Sequence, residues 1–95
     1  MNLKDKVFIV TGASSGIGEE LCKQLSSSGS LVVCAARRLN ELERVCSLIN
    51  DSGGRSIPIR TDITVLKECK EMVDIALDTF GQIDGLILNA GISMW

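Results

Sequence analysis

The pattern of apolar segments predicts an α/β fold: a doubly wound parallel sheet of strand order 3-2-1-4 with helices on both faces. Three observations carry this reading. Short unbroken apolar runs such as Val7-Phe8-Ile9-Val10 and Leu31-Val32-Val33-Cys34-Ala35-Ala36 suit strands buried on both faces. These runs alternate with longer segments of helical periodicity, in the order β-α-β-α-β-α-β. A glycine-rich turn, Thr11-Gly12-Ala13-Ser14-Ser15-Gly16-Ile17-Gly18, leaves the first run and opens the first helical segment.

After the strand over 7–10, a helix over 16–28 is expected, with Ile17, Leu21 and Leu25 on one face and Gly29 ending it. The second strand spans 31–36. A helix over 39–51 follows, its inner face marked by Leu42, Val45, Cys46 and Ile49, with Glu41, Glu43 and Arg44 outside. A weaker third strand over 56–60 contains Pro58, which cannot donate a ladder hydrogen bond and so belongs at a sheet edge. Thr64 is placed to cap a third helix whose apolar face is Cys69, Met72, Val73, Ala76, Leu77 and Phe80, and Gly81 ends it. Leu86-Ile87-Leu88 is expected as a fourth buried strand, leading into Asn89-Ala90-Gly91.

Right-handed crossovers place the second strand beside the first and the third beyond it, with Pro58 on the rim. If the third helix crosses to the other face, the fourth strand docks on the free side of the first. The order then reverses between strands one and four, where ligands of such sheets bind at the carboxyl ends. The glycine turn and Asn89-Ala90-Gly91 both leave the sheet at that crevice. Strand, glycine turn and helix together form an arrangement suited to a dinucleotide pyrophosphate, because helix-start N–H groups and the dipole favour an anion. The spacing here is Gly-x-x-x-Gly-x-Gly.

The end of the second strand bears on which dinucleotide fits. An acid there, about twenty residues past the glycine turn, would hold a ribose 2′-hydroxyl. The sequence instead has Ala36-Arg37-Arg38. Arginine's fork fits phosphate, which favours NADP over NAD, the 2′-phosphate lying near Arg37, Arg38 and Ser14. The plainer alternative is a pair of solvated arginines opening the second helix.

The glycine turn together with Asn89-Ala90-Gly91, and an Asp closing the third strand, resembles the short-chain dehydrogenase/reductase family over the whole chain. The resemblance implies a Rossmann-type sheet. It also implies that Gly12, Ser14, Ser15, Gly16, Ile17 and Gly18 line the pyrophosphate and adenosine ribose, Ile17 through its backbone N–H. Asp62 would contact adenine with Ile63 beside the ring, and Asn89, Ala90 and Gly91 would border the adenosine side and the approach to the nicotinamide. Simpler roles stay open for three of these: Ser15 as a helix cap, Asp62 as the residue ordering a turn, and Asn89 as a tie between strands four and one near Thr11.

The family's catalysis uses a Ser, a Tyr and a Lys four residues after it. This sequence has no tyrosine, and Asn89 belongs to the cofactor motif, so no catalytic residue is assigned. Residues 1–95 are expected to be the N-terminal dinucleotide-binding portion of a single domain, inactive alone. The parent would move hydride between NADP(H) and a small carbonyl or alcohol substrate, and would be a homo-oligomer. A non-catalytic nucleotide-binding or regulatory module is the alternative. A methyltransferase-like scaffold is disfavoured by the missing acid after strand two.

Composition excludes other classes. The net charge is −2 and the basic residues do not cluster, which argues against nucleic acid. With no histidine and no Cys-x-x-Cys among Cys22, Cys34, Cys46 and Cys69, a metal site is unsupported. The cysteines are expected as small core hydrophobes. No apolar run could span a membrane and the N-terminus lacks a signal-peptide layout, so a cytoplasmic location is expected.

Overall fold

The computed structural model describes residues 2–89. Four strands, β1 (Val7–Thr11), β2 (Leu31–Ala36), β3 (Arg55–Arg60) and β4 (Gly85–Ile87), alternate with α1 (Gly16–Ser27), α2 (Leu39–Asp51) and α3 (Leu66–Phe80). All strands are parallel, in the expected order β3-β2-β1-β4. Successive side chains of a strand point to opposite faces, and each face has its own core. Val10, Val32 and Cys34 pack under Cys22 and Leu25 of α1 and Leu42, Val45, Cys46 and Ile49 of α2. Ile9, Val33, Ala35 and Ile59 pack under Met72 and Ala76 of α3. This two-sided burial is why β1 and β2 read as continuous apolar runs and not as alternating ones.

The edge position of Pro58 follows from the phase of β3. The Thr61 N–H bonds inward to the Ala36 carbonyl at 2.8 Å. Ser56, of opposite phase, has its N–H taken by Asn50 Oδ1 at 2.9 Å, and its carbonyl accepts from Asn50 Nδ2 at 3.3 Å. Pro58 shares the phase of Ser56, so its missing N–H faces away from β2. Asn50 also covers part of the exposed strand edge, which blunts pairing with other chains. Three thiols, Cys22, Cys34 and Cys46, are buried in the first core, and Cys69 is half-buried. The Cys34 thiol lies beside those of Cys22 and Cys46, away from solvent, and is held well above its ordinary pKa. It is a core filler and not a nucleophile.

Four local expectations are corrected. In α1 the inner row is Gly18, Cys22 and Leu25, whereas Ile17 is 78% exposed. Glycine at position 18 lets this row, one residue on from Ile17, lie against the sheet. Thr64 is not the cap of α3: Val65 holds that position, and Thr64 is instead bound by Asp62 in the preceding turn. Leu77 of the expected α3 face is exposed, because the helix touches the sheet chiefly along Met72 and Ala76. The fourth strand is Gly85–Ile87 and is not buried: Leu86 is 48% and Leu88 67% exposed. It is the sheet's edge among the described residues, so its outer side chains lack a neighbour. Its register with β1 is set by Asp84, whose Oδ2 accepts the Val7 N–H at 2.8 Å while its own N–H bonds the Val7 carbonyl at 2.8 Å. The Val7 N–H, then the Gln82 side-chain amide at 2.7 Å, hold the Asp84 carboxyl below its usual pKa.

Candidate functional site

Where the order reverses between β1 and β4, the two chain segments leaving the sheet are tied to each other. The Thr11 hydroxyl accepts the Asn89 N–H at 3.0 Å and donates to the Ile87 carbonyl at 3.4 Å. Asn89 Nδ2 donates to the Gly12 carbonyl at 3.3 Å. The interstrand role of Asn89 is therefore realised, and it constrains the glycine turn. A Cβ on Gly12 would collide with the Asn89 carbonyl, and one on Gly18 with the Gly12 carbonyl and, at 2.7 Å, with Asn89 Nδ2. Both glycines answer to close backbone approach. Gly16 differs: its φ is +59°, and a Cβ there meets nothing within 4 Å. It borders open space in front of the helix.

That space is a crevice of about 620 Å³. The glycine turn lines it through Gly12, Ser14, Ser15, Gly16 and Ile17, and the end of β2 through Arg37 and Arg38. Asp62, Ile63 and Asn89 close the remaining sides. The structure thus brings ten of the thirteen proposed residues to one place. Gly18 lies beneath, buried in the helix–strand contact, and Ala90 and Gly91 lie outside the described residues. A second hollow of about 520 Å³, lined by Lys23, Ser26, Ser52 and Gly54 among others, sits at the far ends of α1 and α2. It shares no residue with the crevice.

Ser15 occupies the N-cap of α1 in extended conformation, yet its side chain makes no capping bond. Helix-start N–H groups without an intrahelical partner therefore face the crevice with the dipole's positive end. An open Gly16 and an uncapped helix start fit a pyrophosphate. Arg37 and Arg38 are exposed, and none of the ion pairs among the described residues engages either guanidinium. Asp62 does order its turn, with Oδ1 accepting the Thr64 hydroxyl at 2.6 Å and the Thr64 N–H at 3.0 Å. These bonds, with Arg37 and Arg60 nearby, hold its carboxyl below the usual range.

Three site-shaping residues escaped the sequence reading. Glu68 Oε1 accepts the Asp62 N–H at 2.8 Å and Arg60 Nη1 at 3.1 Å, fixing the turn between β3 and α3. Glu41, in the first turn of α2, is an acidic residue lining the crevice. Arg44 binds the Glu41 carboxylate through Nε at 3.2 Å. It also reaches across to Glu19 of α1 at 2.9 Å and to the Ser14 carbonyl at 3.4 Å. The helical period put Glu41 and Arg44 on the outer side of α2, but nothing in the sequence signalled the link to α1.

Comparison with known proteins agrees with this geometry. Residues 6–95 match the family model described as short chain dehydrogenase. An uncharacterized oxidoreductase of Listeria innocua is 44% identical over 97% of this chain, which spans 37% of that relative's length. 11-beta-hydroxysteroid dehydrogenase A of Sesamum indicum is 40% identical over 92% of the chain, which spans 25% of it. A hydroxysteroid dehydrogenase structure from Escherichia coli superposes with a TM-score of 0.92 at 34% identity, covering 96% of this chain and 40% of that one. A short chain dehydrogenase/reductase from Burkholderia phymatum, solved in complex with NAD, gives 0.88 at 29% identity, covering 90% of this chain and 31% of that one. With residues 6–95 matched by the family model and its sheet shared with these solved structures, the chain belongs to the short chain dehydrogenase family.

Proposed function

We propose that this chain holds the dinucleotide of an NAD(P)-dependent short chain oxidoreductase and takes NADP(H) in preference to NAD(H). The observation that carries the reading is the single crevice into which the glycine turn, the free arginines of the β2 end and Asn89 all converge. Gly12, Ser14, Ser15, Gly16 and Ile17 would receive the pyrophosphate and adenosine ribose, with Gly18 letting the helix sit close. Arg37 and Arg38 would hold the 2′-phosphate, and Asp62 and Ile63 the adenine. Asn89 would border the path to the nicotinamide, and Ala90 and Gly91 would share that role. When bound, the nicotinamide accepts or supplies the hydride. The substrate is a small carbonyl or alcohol compound, and the residues that protonate it are not in this chain. Residues 1–95 act as the N-terminal dinucleotide-binding portion of one domain, in a cytoplasmic, homo-oligomeric enzyme. No helix among the described residues is long and apolar enough to cross a membrane.

Titration calorimetry with NADP⁺ and NAD⁺ tests the cofactor preference. NADP⁺ is expected to bind more tightly, and Arg37→Asp to reverse the order by removing a phosphate partner and adding a ribose acceptor. A charge-assisted hydrogen bond is worth about 1.5–3 kcal/mol. Equal affinities for the two nucleotides in the unaltered chain would sink the NADP reading.

A further inference from the structure

The 2′-phosphate subsite contains a conflict of charge. Glu41 lines the same crevice as Arg37 and Arg38, and a carboxylate there opposes a phosphate. Glu19, in the first turn of α1, adds a second carboxylate close to the glycine turn. Both are held by one side chain. Arg44 meets Glu19 through Nη2 at 2.9 Å and Nη1 at 3.3 Å, and Glu41 through Nε at 3.2 Å. The same guanidinium donates to the Ser14 carbonyl at 3.4 Å, so it also fixes a segment that lines the crevice. Lys23 adds a second cation on Glu19 at 2.8 Å, but no ion pair other than Arg44 holds Glu41 among the described residues.

We propose that Arg44 is a positioning residue for cofactor choice: it holds the Glu41 carboxylate in an ion pair and neutralises it, and so lets Arg37 and Arg38 act as the phosphate's partners. The inference rests on the NADP(H) reading given above. Without Arg44, Glu41 is free to face Arg37 and Arg38, compete for them and accept a ribose hydroxyl. The same crevice would then suit NAD(H). Specificity thus depends on a residue that need not touch the nucleotide. The Ser14 contact makes a separate contribution, which falls on both nucleotides alike because the pyrophosphate is common to them.

The test is calorimetric titration of the chain with NADP⁺ and with NAD⁺, for the unaltered protein, Arg44→Gln, Glu41→Gln and Arg44→Gln/Glu41→Gln, with a thermal melt of each. Arg44 is 45% exposed in its side chain, so its replacement leaves both cores intact. Arg44→Gln should lower the NADP⁺ to NAD⁺ affinity ratio by about tenfold, the scale of one nearby unscreened charge. Adding Glu41→Gln should restore most of that ratio, and Glu41→Gln alone should change it little. A merely structural role would weaken both nucleotides equally and show no rescue. An unchanged ratio in Arg44→Gln, or no recovery in the double variant, overturns the proposal while leaving the site reading intact. An unaltered chain with no preference for NADP⁺ overturns the cofactor reading and this inference together.

Discussion

At the scale of single residues, the glycine turn separates two reasons for having no side chain. Gly18 is packed: an added methyl would drive into the Gly12 carbonyl, and backbone cannot swing aside. Gly16 is left-handed and open, with φ of +59°, a conformation glycine adopts freely, and nothing near its missing Cβ. Gly18→Ala should therefore destabilise the fold by about 3 kcal/mol, the upper end of overpacking costs. Gly16→Ala should cost about 1–2 kcal/mol from the left-handed backbone alone, and should place its methyl where a pyrophosphate would approach. A valine at Gly16 adds β-branched strain to the same block and is the less informative variant. Thermal melts and nucleotide titration of the two alanine variants check this. Loss of binding with a small drop in melting temperature is expected for Gly16→Ala, and a large drop for Gly18→Ala. A reversed order of stabilities would show that the turn is not held as described.

At the scale of elements, α1 and α2 share one face of the sheet and are joined across their outer sides by the Glu19–Arg44 pair. Arg44, then Lys23, hold the Glu19 carboxyl at about 2 against an ordinary value of 4.5. A depressed carboxyl pKa contributes stability that is fully present above the unfolded value and disappears as pH falls through the folded one. The clamp should thus weaken between about pH 4.5 and about pH 2. Thermal melts of the unaltered chain and Glu19→Gln over this range provide the measurement: their difference should be constant at neutral pH and shrink toward zero as acid protonates Glu19. A pH-independent difference would remove the ion pair from the account. Such links show where reading from sequence stopped. Strand order, helix positions and the converging glycine turn were legible because apolar period and turn residues act locally and through crossover handedness. The link from Arg44 to Glu19 and Ser14 was not, because it joins positions 25 and 30 residues apart with no periodic signal. Of the expected α1 face, Leu21 and Leu25 do meet the core and only Ile17 was misplaced, for a related reason: Ile17 is apolar in composition, yet Gly18 is what contacts the sheet.

At the scale of the whole molecule, the sheet is asymmetric. One edge, β3, is covered in part by Asn50, whereas β4 pairs with β1 over only three residues. Leu86 in it and Leu88 just beyond it are exposed, as are Ile75 and Leu77 on α3. A strand edge with open donors and apolar neighbours is a template for another chain. The 95-residue chain should therefore associate as its concentration rises, and the association should involve β4. Size-exclusion chromatography over a concentration series is the check, with Leu88→Lys as the variant that puts a charge beside that edge. The variant should elute as a monomer at concentrations where the unaltered chain does not, and identical elution would clear β4 of the role. The same chain should bind nucleotide without turning over carbonyl compounds. The family's proton donor is a tyrosine and this sequence has none, and proton transfer by a placed side chain is worth about 10²–10⁴-fold in rate. Holding a dinucleotide orients one reactant only. Measurable NADPH-dependent reduction by the monomeric Leu88→Lys chain would mean that another group in residues 1–95 supplies the proton.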